Sequence, residues 1–269
     1  VDRHGLPSGP VPIDTGTVEL IIDPSDPTGV TVLVNGAESS FVDLAHPTRL
    51  EFEYMQHMAV IADHVLGPGR PVRALHLGAG ACSLPRALDA TRPGSRQVAV
   101  EIDAALAYLV REWFDLPRAP RLRIRVGDAR QALAVTPPAS QDLVVRDVFA
   151  ERGVPAHLRT LEFTGQVADA LRETGAYLVN CTDVPPLLDA RREAATMARH
   201  FPHVAVVAEP GILKGRRYGN VVLAGTRRPL LERFVARDLL RLAMPVTLLA
   251  GQDVRRFIGA ARPFLDPAA

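Results

Sequence analysis

The chain has 269 residues, enough for one full α/β domain plus a small additional element. Its 31 basic and 30 acidic residues cancel to a net charge of +1, which excludes the basic stripe of a nucleic-acid binder and a solvating acidic tail. No apolar run reaches the roughly 20 residues of a membrane span, Val1-Asp-Arg-His-Gly-Leu-Pro7 does not read as a secretory leader, and Cys82 and Cys181 make neither a disulfide framework nor a zinc site; the expectation is a cytoplasmic protein that needs no metal.

Residues 1–16 are expected as a flexible arm. Thr17-Val-Glu-Leu-Ile-Ile-Asp23 is β-rich, Pro24-Ser-Asp-Pro-Thr-Gly29 is a turn and Val30-Thr-Val-Leu-Val34 is a second strand. Asn35-Gly36 signals a hairpin and Ser39–Leu44 a third strand. Residues 17–47 therefore read as a small β-hairpin domain. Residues 48–66 carry Leu50, Tyr54, Met58, Ile61 and Val65 near helical spacing, and Gly67-Pro-Gly69 stops that helix. From there the β/α alternation is regular, with strands at 72–77, 96–101, 121–126, 142–147 and 175–181. A later strand pair at 203–208 and 219–225 and a helical tail over 228–259 complete one domain, residues 48–269. The fold class is α/β: a Rossmann-like, class I methyltransferase-type sheet preceded by a small N-terminal antiparallel β domain.

The chemistry sits at the strand tips, where open α/β sheets bind ligands. Ala74-Leu-His-Leu-Gly-Ala-Gly-Ala-Cys-Ser83 runs an apolar strand into a Gly-x-Gly turn, and Val98-Ala-Val-Glu-Ile-Asp103 ends the next strand in an acid. Glycine lets the turn be tight and lets a ligand approach the backbone. The third glycine of a pyrophosphate cradle is missing, and the helix starts at Leu84-Pro85. Such a turn suits an uncharged nucleoside better than NAD or FAD. S-adenosylmethionine and its decarboxylated form both fit; a Gly-rich turn without a ligand stays open. The expected nucleoside-binding residues are Gly78, Ala79, Gly80, Glu101, Ile102, Asp128 and Ala129. Glu101 is placed for ribose hydroxyls. Asp128 is placed for a helix N-cap, the adenine amino group, or both. Asp147 either pairs locally with Arg146 or faces a substrate.

The ordered set Val34-Asn-Gly36, Ser40-Phe-Val-Asp43, Arg49-Leu-Glu-Phe-Glu-Tyr54, Leu77-Gly-Ala-Gly80, Val100-Glu-Ile-Asp103, Val126-Gly-Asp128, Asp142-Leu-Val-Val-Arg-Asp147 and Tyr218-Gly-Asn-Val-Val222 resembles the spermidine synthase family of aminopropyltransferases, in particular its high-GC bacterial branch. The resemblance covers residues 17–227. It implies aminopropyl transfer from decarboxylated S-adenosylmethionine to an amine, with Glu101 on the ribose, Asp128 on the adenine and Asp147 taking the amine proton. Tyr54 is the expected catalytic companion of Asp147, and Tyr54, His57 and Glu151 are the expected amine contacts. It also implies a homodimer. The chain departs from the family pattern at Ala81 and Ala150, which replace acids, and near Glu38-Ser39, which replaces a glutamine. Glu51, Glu53 or Glu151 are candidates to compensate. Two further readings stay open: a methyltransferase using intact S-adenosylmethionine, with Ser83 and loop amides on its carboxylate, and a non-catalytic nucleoside-binding relative.

Overall fold

The computed structural model describes residues 5–149 and 153–267. A four-stranded antiparallel sheet comes first: β1 (Val11–Ile13), β2 (Gly16–Ile22), β3 (Gly29–Val34) and β4 (Ala37–Asp43), in that spatial order. The β3–β4 turn is Asn35-Gly36, both with positive φ (52° and 77°), the geometry that matches the twist of a tight hairpin.

The chain then enters α1 (Glu53–Leu66), β5 (Arg73–Leu77), α2 (Ser83–Thr91), β6 (Arg96–Glu101), α3 (Ala104–Trp113), β7 (Leu122–Val126), α4 (Ala129–Ala134) and β8 (Gln141–Arg146). After these come α5 (Leu161–Ala170), β9 (Leu171–Asp183), α6 (Leu188–Met197), β10 (His203–Ala208), α7 (Pro210–Leu213), β11 (Gly219–Thr226), α8 (Glu232–Leu239), β12 (Thr247–Ala250) and α9 (Gln252–Ile258). The main sheet has the order β12-β10-β11-β9-β8-β5-β6-β7. Strands β5 to β9 run parallel, while β11 is antiparallel to β9 and β10, and β12 is antiparallel to β10.

Side chains alternate between the sheet faces, so each central strand feeds two cores. Leu75, Leu77 and Val144 join residues of α4, α5, α6 and α9 on one face. Ala74, Leu143, Val145 and Leu178 join α1 and α8 on the other. A third core packs Val18, Leu20, Val30, Val32 and Val42 of the N-terminal sheet against Leu106 and Val110 of α3 and the buried Ala81 and Cys82. Among the described residues no helix is long and apolar enough to cross a membrane.

Two expectations are corrected here. Over its described part the arm is not loose: β1 pairs with β2, and Leu6 is buried. Thr15 is held by Asp103, whose Oδ2 accepts from Thr15 N at 2.7 Å and Thr15 Oγ1 at 2.8 Å. The tail is not wholly helical, because Thr247–Ala250 adds β12 to the sheet edge. Four residues are too few for their alternation to stand out from an amphipathic helix.

Asp103 also caps α3, accepting from Leu106 N at 2.7 Å. Burial pushes its carboxyl up, but the Leu106 amide and both Thr15 donors outweigh that and hold it below the usual carboxylate range. A lowered value means that its contribution is full above the ordinary carboxylate pKa and fades as pH falls through the folded one. Asp103→Ala removes the cap and the arm clip together, and is expected to cost about 2–4 kcal/mol in denaturant unfolding at pH 7, with a smaller deficit at pH 3.

Candidate active site

Three strand ends continue their ladders by one backbone bond each, and this fixes the loops that follow. Gly78 N donates to Val100 O, Asp147 N to Leu77 O and Gly127 N to Glu101 O, at 3.0, 2.9 and 2.8 Å. The Gly turn and the acids after β6, β7 and β8 thus form one rim along the carboxyl edge of the sheet. Glu101 underlies the turn. Its Oε2 accepts from Gly80 N (3.0 Å) and Ala79 N (3.3 Å), and its Oε1 from Asp103 N (3.2 Å). Burial raises its pKa, and the three amides oppose that rise without cancelling it.

Each described amide of the turn has an internal acceptor. Ala81 N donates to Ser40 Oγ at 3.0 Å, and Cys82 N to Ala79 O at 2.8 Å. The Ser83 hydroxyl donates to Phe41 O at 2.7 Å. The amides from Gly78 to Cys82 are therefore spent inside the loop, and what this end of β5 offers to a pyrophosphate or a carboxylate is the uncapped first turn of α2, with the Ser83 and Leu84 amides and no N–H at Pro85. Cys82 is buried at the turn, with its thiol pushed up to about 12 by desolvation, so it is an inert packing residue.

Gly78 and Gly80 serve different needs. Gly78 has φ +94°, and a Cβ there would lie 2.1 Å from Asp147 O; Gly80 has φ +47°, and its Cβ would meet only Ser40 Oγ, at 2.7 Å. Asp128 caps α4 through Gln131 N at 2.9 Å, and its other oxygen lies 2.9 Å from His157 Nε2. Burial pushes the Asp128 carboxyl up, but the Gln131 amide and His157 hold it below the ordinary range. Ala129 is buried behind it, while Ile102 is 62% exposed beside Glu101, an apolar surface for a flat base. His157 lies outside the motifs and carries no sequence signal of its own.

On the other side of the turn, Asp147 is half-buried. Tyr54 OH donates to its Oδ2 at 2.8 Å and Asn180 Nδ2 to its Oδ1 at 3.0 Å. Desolvation raises the Asp147 pKa; the two donors and Arg146 pull it down by less. The Tyr54 phenol is pushed well above its usual value by burial and by the Asp147 charge, so it stays protonated and acts as a fixed donor. Asn180 escaped the sequence reading, although a lone amide in the apolar run Ala176-Tyr-Leu-Val-Asn180 is the kind of signal that marks a functional strand residue.

A cavity of about 250 Å³ adjoins Tyr54, lined by Glu53, His57, Glu209, Arg217, Tyr218 and Asn220 among others. His57 is buried, with Nδ1 unpartnered. Desolvation pushes it down to about 4, so it is a neutral ring at physiological pH. Glu209 is paired with Arg217. Of the compensating acids, Glu53 lines this cavity, whereas Glu51 is tied to Arg49 at 2.8 Å. Glu151 and Ala150 lie outside the described residues. Among the described residues no group of three His, Cys, Asp or Glu side chains comes together to hold a metal.

The turn, its underlying acid, the strand-end carboxylates and the antiparallel closing strands define a protein of the methyltransferase-type Rossmann-like class. No family model matches the chain. A probable spermidine synthase from Corynebacterium glutamicum superposes with a TM-score of 0.93, is 38% identical, and covers 98% of each chain. A spermidine synthase in complex with the transition-state analogue AdoDATO shares the fold at TM-score 0.63 and 15% identity, covering 93% of this chain and 87% of that one. The polyamine aminopropyltransferase of Vibrio vulnificus is 29% identical over 155 residues, 57% of this chain and 50% of its own length. The match thus spans half of that curated relative. The chain belongs to the spermidine synthase family.

Gly78→Ala is expected to lose about 2–5 kcal/mol of stability, since both its φ and the Asp147 carbonyl oppose a Cβ. Gly80→Ala adopts a milder left-handed φ, about 1 kcal/mol, but also displaces the Ser40 hydroxyl from the Ala81 amide, about 1–3 kcal/mol more. Urea titrations check this: Gly80→Ala is expected to cost less in a Ser40→Ala background than alone, and an equal cost in both would contradict it.

Proposed function

We propose that the protein is an aminopropyltransferase, moving the aminopropyl group of decarboxylated S-adenosylmethionine to a small amine. The observation that carries this reading is the Tyr54–Asp147–Asn180 cluster, fixed beside the Gly turn by the Asp147 N–H bond to Leu77 O, the residue before the turn, with the Asp147 carbonyl close against Gly78. A base thus stands beside the place where a nucleoside sulfonium would lie. The turn's internally satisfied amides support the decarboxylated donor over intact S-adenosylmethionine.

In this reading Glu101 accepts the ribose hydroxyls, Gly78, Ala79 and Gly80 supply the close backbone, and Ile102, Asp128 and Ala129 surround the adenine. An alkylamine is protonated at pH 7 and has no lone pair for attack. Asp147 accepts the proton of the attacking amine, with help from solvent at the cavity mouth. The amine nitrogen then forms a bond to the carbon next to the sulfonium, the carbon–sulfur bond breaks, and methylthioadenosine leaves as a neutral thioether. In-line placement supplies much of the remaining acceleration. Tyr54 orients Asp147 and stays a donor throughout. Glu53 stands where a second ammonium group can be neutralised, and His57 contributes a neutral wall. A homodimer belongs to the reading by likeness to the family alone.

Purified protein incubated with decarboxylated S-adenosylmethionine and a panel of diamines is expected to release amine-dependent methylthioadenosine, read by mass spectrometry. S-adenosylhomocysteine from intact S-adenosylmethionine would make it a methyltransferase instead. Asp147→Asn is expected to lower kcat/KM by roughly 10²–10⁴-fold. Because the Asp147 pKa is raised, the base is lost on acidification at a higher pH than for an ordinary aspartate. The acid limb of kcat/KM is therefore expected above pH ~3.9, and a limb below that value would remove Asp147 as the base.

A further inference from the structure

One buried ion pair has no part in the chemistry above. Arg146, the last residue of β8, has none of its surface exposed, and Glu193 of α6 is 3% exposed. Arg146 Nη2 lies 2.6 Å from Glu193 Oε2. The same guanidinium donates to Leu158 O at 3.0 Å and to Asn180 O at 3.2 Å. It therefore ties the end of β8 to β9 and to the segment that leads into α5. Asn180 in turn donates its side-chain amide to Asp147.

A buried pair is a poor device for stability alone, because desolvating two charges offsets most of their attraction. This pair is not even fully satisfied: Arg146 Nε, Glu193 Oε1 and the Asn180 side-chain oxygen have no hydrogen-bond partner. Its place is more telling. Strand alternation puts Arg146 on the α5–α6 face with Val144, and sends Asp147 over the strand end toward α1. The cation thus sits directly behind the carboxylate, and its hydrogen bond reaches the backbone of the residue that orients it.

We propose that Arg146, clamped by Glu193, is a positioning residue for Asp147, holding the β8 and β9 ends in the register that lets Asn180 and Tyr54 each meet one carboxylate oxygen. This rests on Asp147 acting as the base. Among the described residues, the following groups face the pair and Asp147. Tyr54 of α1 and Asn180 of β9 face Asp147. Tyr177 and Cys181 of β9 face Arg146, and burial pushes both up so that they remain neutral. Arg159 and Asp189, paired at 2.5 Å, flank Glu193 and act on it in opposite directions. Among the described residues, Arg146 is the cation that acts on the Asp147 carboxylate.

The test replaces the pair by apolar groups of similar size, Arg146→Met with Glu193→Leu, so that no lone charge is left buried. Arg146→Lys, which keeps the charge and loses the planar fork, accompanies it. The double variant is expected to fold, to lose roughly 10- to 100-fold in kcat/KM, and to move the acid limb of the pH profile to higher pH. Arg146→Lys is expected to keep the wild-type limb while losing rate. A folded double variant with the wild-type limb and rate would overturn the proposal, as would Arg146→Lys at full wild-type rate. Titration of the Asp147 carboxyl by ¹³C NMR reads the same displacement without turnover. A wild-type protein that transfers no aminopropyl group would therefore defeat the proposed reaction, while an unmoved Asp147 titration would defeat the positioning role.

Discussion

The site depends on one requirement: a tight turn that leaves its amides pointing inward must give them acceptors. Glu101 meets it from β6 and Ser40 meets it from β4. An unpaired buried N–H costs on the order of 1–3 kcal/mol, so these two side chains are as much a part of the turn as its glycines. They also determine what the turn can bind. With the amides from Gly78 to Cys82 spent, the loop itself offers little to a carboxylate or a pyrophosphate. Glu101 completes the loop, and in the proposed reading its remaining lone pairs are the ones left for a ribose.

The same requirement explains why the N-terminal sheet is present. Ser40, Phe41 and Asp43 of β4 all bond to the turn or to α2, the last through the Arg86 guanidinium at its carbonyl. The small sheet is thus one wall around the Gly turn. Asp103 and Thr15 secure its outer end from the other side. The two sheets are thus joined by polar contacts at the rim and by the apolar core between β2, β3 and α3.

The nucleoside half was legible because it is local in sequence. Strand, glycine turn, helix and acid follow one another within about 30 residues, and each carries its own pattern. The same alternation located the strands β5 to β11, although not the order in which they lie in the sheet. The amine half was less legible, because it is assembled from α1, β8, β9 and the α7–β11 segment. Asp147 stood out by its place at a strand end, and Tyr54 was proposed through the family likeness. Asn180 was passed over although a lone amide in an apolar run marks it, and Glu209 and Arg217 lie in a loop segment whose place beside Tyr54 no local pattern gives. Local reading also failed for the arm and for β12: both are strands of only a few residues that exist because a neighbour offers them an edge.

The bonds from β4 to α2 have a further consequence for how molecules of this protein meet. A small open sheet has two free borders, and each is ordinarily a template on which a second chain can add a strand. Here one border is β4, whose carbonyls at Phe41 and Asp43 are already taken by Ser83 and Arg86. The other is β1, three residues long with Pro12 at its centre, where no N–H exists to continue a ladder. At Pro12 and over Phe41–Asp43 the sheet is thus closed to growth, so self-association through those stretches must use side chains and not backbone.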